Sequence, residues 1–131
     1  MSFAEPPVTD DELKVAELIA KFAYALNTHD PSALAATLAA DAALGMAAER
    51  RALISRTAYL EAMSRLIHGI RSVRYNQTVI RISKNNQSSV VHCLGVRQLY
   101  GQVGYANEPR YFLCKKYDDQ WLVSEAGYLN L

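Results

Sequence analysis

Apolar residues recur every three to four positions in the first half of the chain and every second position in the second half, and the period changes at Ile70. Val15, Leu18, Ile19, Phe22 and Leu26 share one helical face, while Asp11, Lys14, Glu17, Lys21 and Thr28 fall largely on the other. This spacing predicts a helix that lies on a core rather than inside one. Thr9 and Glu12 stand at capping-box spacing and start it. It ends near 27–29, because Asp30 and Pro31 supply a new N-cap with proline at the first helical position, opening a short Ala-rich helix over 31–39. Two short strands are expected at 41–47 and 49–54. Ser55 or Thr57 then caps a third helix with an apolar stripe of Tyr59, Leu60, Met63, Leu66 and Ile67, which Gly69 is expected to close in the left-handed conformation.

Beyond Ile70 four long strands are predicted, at 71–83, 88–101, 104–117 and 120–129. The links between them are short, so consecutive strands pair antiparallel. In the second long strand, alternation sets Val90, His92, Leu94 and Val96 on one face and Ser89, Cys93, Gly95 and Arg97 on the other. Residues 1–8 read as a disordered lead-in. No linker divides the rest of the chain, so 9–131 is expected to form one α+β domain.

Composition agrees with that size. The 131 residues are 50% hydrophobic and 21% charged, the balance of one globular domain with a substantial core. Fourteen Lys and Arg against 13 Asp and Glu leave a formal charge of +1, too little to gather nucleic acid or an anionic membrane surface, so neither is an expected partner. The apolar runs are far short of the roughly 20 residues that cross a bilayer. The first residues, with Glu5, Pro6 and Pro7, lack the basic start and apolar run of a secretory signal, so the expected location is cytoplasmic. Cys93 and Cys114 form no CxxC and stand near no His at ligand spacing; they read as reduced core thiols, with no metal site and no cofactor expected.

Ala25-Leu26-Asn27 with Asp30 after the first helix, Leu34 to Leu38 with Asp41 and Ala42 after the second, and Asp118-Asp119-Gln120-Trp121-Leu122-Val123 near the end form an ordered set. In order and spacing it resembles the NTF2-like (SnoaL-like) superfamily over nearly the whole chain. The resemblance implies a cone: helices packed in a curved antiparallel sheet, with an apolar pocket open at one end and often a homodimer through the outer sheet face. Members include ketosteroid isomerase, scytalone dehydratase, limonene epoxide hydrolase and polyketide cyclases, and also binding or scaffold proteins without chemistry, so the resemblance alone does not name a function.

No catalytic constellation of these enzymes carries over. The isomerase pattern, whose Asp base and Tyr and Asp oxyanion hole are a standard case of pKa tuning, would fall on Phe22, Met46 and near Leu113, none of which does that work. The dehydratase pattern meets Tyr75 where a His is wanted and no acid on the short strand. The hydrolase set of Asp, Arg and Asp is not recognisable.

The remaining polar candidates are His92 and Glu125. If the Val90 face looks into the cavity, His92 does too, and the Trp121, Val123, Glu125 alternation aims Glu125 the same way. Burial would draw the two pKa values toward neutrality and suit them for proton transfer. On the other register, His92 is a hydrogen-bonded structural residue and Glu125 pairs with Arg97 or Lys115 outside, because a one-residue slip inverts every side chain. Phe22, Tyr24, Met46, Tyr59, Tyr75, Tyr111 and Leu113 complete the candidate ligand-binding set. Two functions stay open: a pocket protein for a small, largely apolar molecule, or an isomerase, dehydratase or cyclase using His92 and Glu125. A homodimer is expected in either case, since the long strands carry apolar residues on both faces.

Overall fold

A computed structural model describes residues 1–47 and 52–129. Its elements are α1 (Asp10–Asn27), α2 (Pro31–Ala36), β1 (Leu38–Leu44), β2 (Ile54–Ser55), α3 (Arg56–Leu66), β3 (Ile70–Ile82), β4 (Ser88–Leu99), β5 (Ala106–Tyr117) and β6 (Gln120–Tyr128). The strands form one curved six-stranded sheet in the order β2-β1-β6-β5-β4-β3. The helices pack against it, giving the expected α+β arrangement.

Local chemistry starts each helix where the sequence signals it. The Thr9 hydroxyl accepts from the Glu12 N–H while the Glu12 carboxylate accepts from the Thr9 N–H, so the capping box is closed. Asp30 accepts from the Ala33 N–H ahead of Pro31, and of the two candidate caps for α3 it is Ser55 that accepts from the Ala58 N–H. α3 does not end on a left-handed Gly69. It tightens into a 3₁₀ turn over Ile67–Gly69, which answers the last carbonyls with shorter-range hydrogen bonds.

Between β5 and β6 both Asp118 and Asp119 are left-handed, at φ 48° and 66°, the backbone of a two-residue hairpin turn that follows the natural twist of the strands. β3 to β6 pair consecutively and antiparallel. The difference from expectation lies in β1, which begins at Leu38, earlier than its alanine-rich sequence suggests, and pairs parallel with β6. The helix α3 carries the chain from β2 to the far edge of the sheet, so the last strand returns beside the first. Of the other expected short strand, 49–54, residues 49–51 lie outside the described residues, Ala52 and Leu53 are not in a strand, and Ile54 opens the two-residue β2.

Residues expected to form a loose lead-in run beside the edge strand β3. The Ser2 N–H donates to the Tyr75 carbonyl, Thr78 N–H to the Ser2 carbonyl and Ala4 N–H to the Thr78 carbonyl, and Glu5 pairs with Arg81 at 2.7 Å. They meet β3 where its register slips between Asn76 and Val79 and Gln77 turns left-handed at φ 53°, a bulge that bends the strand and frees backbone groups for the N-terminal segment.

The core lies between α1 and the concave face of the sheet. Val15, Ile19 and Phe22 of α1 meet Tyr75, Val91, Phe112, Cys114 and Val123, all essentially inaccessible. Two ties fix α1 in this groove. At its start, Asp11 accepts from the Trp121 indole N–H at 3.0 Å and pairs with Lys116 at 3.2 Å, contacts that hold its carboxyl below the usual carboxylate range. At its end, the Asn27 side chain donates to the Val73 carbonyl at 2.9 Å and accepts from the Val73 N–H at 2.7 Å. Asn27→Ala leaves both of these strand backbone groups without their partner. It is expected to lower stability by about 1–3 kcal/mol in urea titration, with early loss of amide protection at Val73. Among the described residues, no helix is long and apolar enough to cross a membrane.

Candidate functional site

At the open end of the cone lies a cavity of about 260 Å³, lined by residues of α3 on one side and of β3, β4 and β5 on the other. Its walls are apolar: Leu26 at the end of α1, Met63 from α3, Ile70 and Val73 from β3, and Met46 after β1. Tyr59, Tyr75 and Tyr128 turn into it, as do three charged residues, Arg97, Glu108 and Arg110.

The registry of β4 and β5 decides this lining. Val91, Cys93 and Gly95 point inward on β4, and Glu108, Arg110, Phe112 and Cys114 point inward on β5. This is the opposite phase from the one expected for β4. His92 is exposed and pairs across the ladder with Tyr111, and Val90 pairs with Leu113, so His92, Tyr111 and Leu113 all stand on the convex face. Glu125 joins them for a separate reason. Trp121 and Val123 do point inward, but the β5–β6 register shifts between Leu113 and Cys114 and leaves Ser124 as an extra residue. That bulge turns Glu125 outward and Ala126 inward. The Glu125 carboxylate accepts from the Tyr111 hydroxyl at 2.6 Å, and burial together with this bond pushes the phenol up to about 12.

The remaining candidates divide. Met46, Tyr59 and Tyr75 line the cavity. Phe22 does not reach it: it is wholly buried beneath, edge-on to Phe112 at 5.2 Å. Tyr24 lies on the solvent face of α1 at 69% exposure, because two residues along a helix is more than half a turn from Phe22.

Sequence reading missed Arg97, Glu108, Arg110 and Tyr128. The signal was in β5, where Glu108, Arg110, Phe112 and Cys114 alternate as strictly as Tyr111 and Leu113 do. Choosing that phase requires treating an arginine as an inward residue, against the usual rule that charges face water.

Arg110 is only 7% exposed. Its Nε donates to the Gly127 carbonyl at 3.3 Å and Nη1 to the Tyr75 hydroxyl at 3.4 Å. The guanidinium lies over the Tyr128 ring at 4.3 Å and near Phe112 at 5.2 Å, where ring quadrupoles favour a cation. Gly95, diagonal to it on β4 and opposite Glu108, makes room for its stem: a Cβ there would come within 3.4 Å of Arg110 Cδ and 3.2 Å of the Glu108 carbonyl oxygen. Arg97 Nε and Glu108 Oε1 are 3.3 Å apart, but the approach is misaligned, so Arg97 Nε makes no hydrogen bond there. The pair is an ionic contact rather than a directed bond.

Burial raises the Tyr59 hydroxyl to about 12 and pushes Tyr75 higher still, so both are neutral donors at physiological pH. Burial likewise raises the Cys93 and Cys114 thiols to about 12, which leaves them inert as nucleophiles. Among the described residues no three His, Cys, Asp or Glu side chains gather as a metal site would require.

No protein-family model matches the sequence, and no curated protein matches it. Solved structures do. An NTF2-like protein of unknown function from Pseudomonas putida KT2440 aligns with a TM-score of 0.77 at 14% identity, over 94% of this chain and 88% of that one. A ketosteroid isomerase candidate from Shewanella frigidimarina aligns at 0.71 and 13% identity, over 92% of this chain and 98% of that one. A scytalone dehydratase candidate from Novosphingobium aromaticivorans aligns at 0.71 and 16% identity, over 92% and 87%. The chain has the NTF2-like cone fold, and at these identities the likeness is one of fold.

Proposed function

We propose that this chain is a pocket protein that takes a small, largely apolar molecule into the mouth of the cone and performs no chemistry on it. The cavity carries this reading: about 260 Å³, walled mostly by Leu26, Met46, Met63, Ile70 and Val73, with a few polar groups placed among them. Binding sites for small molecules have that composition, and this one lies just below their usual range of volume. The alternative, an isomerase, dehydratase or cyclase working by proton transfer between His92 and Glu125, is not supported by their placement. Both stand across the sheet from the cavity, and Glu125 is engaged by Tyr111.

Cinnamyl alcohol is a suitable neutral probe, one ring with a short tail. In ligand-detected NMR it is expected to show saturation transfer from the protein, and Met63→Trp, which fills the cavity, is expected to abolish the transfer while leaving the circular dichroism unchanged. Transfer that persists undiminished in a folded Met63→Trp protein places the probe elsewhere and sinks the reading.

We also propose that the convex sheet face pairs with a second copy of the chain. Val90 is 41% exposed there beside half-buried Leu113, and the half-buried pair Leu94 and Pro109 lies two same-face positions along, with His92 and Tyr111 between the two apolar pairs. Sedimentation at micromolar concentration is expected to give a dimer, and Leu113→Arg to give a folded monomer. A wild-type monomer under those conditions overturns the pairing.

A further inference from the structure

We infer that the molecule bound in the cone is a monoanion, a small carboxylic acid whose apolar body fills the cavity and whose carboxylate is received by Arg110. This rests on the pocket reading above and names the class of ligand.

The starting observation is a buried cation without a counter-charge. No carboxylate among the described residues lies within 4.0 Å of the Arg110 guanidinium. A guanidinium has five N–H donors; one reaches the Gly127 carbonyl and one the Tyr75 hydroxyl, so three have no acceptor among the described residues. Both acceptors are neutral. Removing a charge from water without an opposite charge is among the costliest arrangements in a folded protein. Nothing in the packing of α1 against the sheet calls for an arginine here, since Phe112 and Cys114 fill the next inward positions of β5.

The cation nonetheless sits in a prepared cradle. Tyr128 and Phe112 fix its plane, Gly95 leaves room for its stem, and its fork lines the same cavity as Met46 and Met63. A planar fork of this kind matches the two oxygens of a carboxylate. Tyr59 and Tyr75, neutral hydroxyls lining the same cavity, are further donors for such a group.

The charge of the lining sets the ligand's charge. Arg97 and Arg110 contribute two positive charges and Glu108 one negative, a net of +1. Because Arg97 and Glu108 already face each other at 3.3 Å, the uncompensated charge is that of Arg110. One negative charge neutralises the cavity. A phosphate dianion would bring a second negative charge into a lining that already holds Glu108, whose carboxylate engages Arg97.

The test compares molecules that differ only at the head group, cinnamate with cinnamyl alcohol and benzoate with benzyl alcohol, by calorimetry or NMR titration of the full chain near pH 7.5. The acids are expected to bind on the order of tenfold more tightly than their alcohols, the usual effect of a charge-assisted hydrogen bond. Arg110→Met is expected to bind acid and alcohol alike, and Arg110→Lys to keep part of the preference, having charge but no fork. If Arg110→Met does not fold, the wild-type ratio of acid to alcohol decides by itself. Alcohols that bind the wild-type protein as tightly as the acids, or a preference that survives in folded Arg110→Met, overturn the assignment and leave the pocket reading intact. Failure of both acids and alcohols to bind overturns the two together.

Discussion

Phe112→Ala is expected to destabilise the protein by about 3–5 kcal/mol, a large share of the roughly 5–15 kcal/mol that holds a domain of this size together. Phe112 has no exposed surface. Its ring is edge-on to Phe22 at 5.2 Å and to Tyr75 at 5.3 Å, so three aromatic rings from α1, β3 and β5 meet at one point. Truncation removes contacts to two elements at once. The hole cannot collapse, because β5 is held on both sides by ladder hydrogen bonds to β4 and β6. Phe112 also lies against the Arg110 guanidinium, so the same substitution is expected to weaken retention of any ligand that depends on the guanidinium plane. Urea unfolding followed by tryptophan fluorescence measures the first effect, with Trp121 as the sole indole. A loss below about 1 kcal/mol would show that the site repacks, contrary to the close-packed core.

Gly127→Val carries the second large effect, on the opposite face of the sheet. A Cβ on Gly127 would stand 2.7 Å from the Tyr111 hydroxyl oxygen and 2.8 and 2.9 Å from Cε1 and Cζ, closer than such atoms approach. The Tyr111 ring lies across the glycine of the neighbouring strand, opposite it in register, and ends at Glu125. An aromatic covering a cross-strand glycine is a known way to make good the missing side chain. With valine at 127 the ring must swing away, giving up the 2.6 Å bond to Glu125 and uncovering the ladder between β5 and β6. Overpacking of this kind costs about 1–3 kcal/mol. The mechanism predicts a coupling that thermal melts can detect: in a Tyr111→Ala background, Gly127→Val should cost far less, because the obstructing ring is gone. Equal costs in the two backgrounds would show that the strain lies in the backbone and not in the ring.

These two sites also mark the limit of what the primary structure discloses. The capping residues Thr9, Asp30 and Ser55, the change of period at Ile70 and the turn at Asp118 and Asp119 are local chemistry, acting within a few residues, and each is legible where it stands. Together they determine three helices followed by a meander of long strands, and the NTF2-like cone follows from that order. The phase of the long strands is another matter. In β4 both alternating sets contain small and apolar residues, Val90, Leu94 and Val96 on one side and Val91, Cys93 and Gly95 on the other, so hydrophobicity does not choose between them. The choice comes from what lies across the ladder: Gly95 must face inward to make room for Arg110, and Val91 to meet the core beneath α1.

In β6 the alternation is correct as far as Val123, and one inserted residue, Ser124, inverts everything after it, carrying Glu125 to the convex face. A bulge is a property of two strands in register, invisible in either alone. The elements, their order and their caps were therefore set by neighbours in sequence. The cavity, with Arg110 inside it and His92 and Glu125 outside, was decided only by the pairing of β4, β5 and β6, because which side of a sheet a residue occupies is fixed by its partner strands and by the helix the sheet wraps.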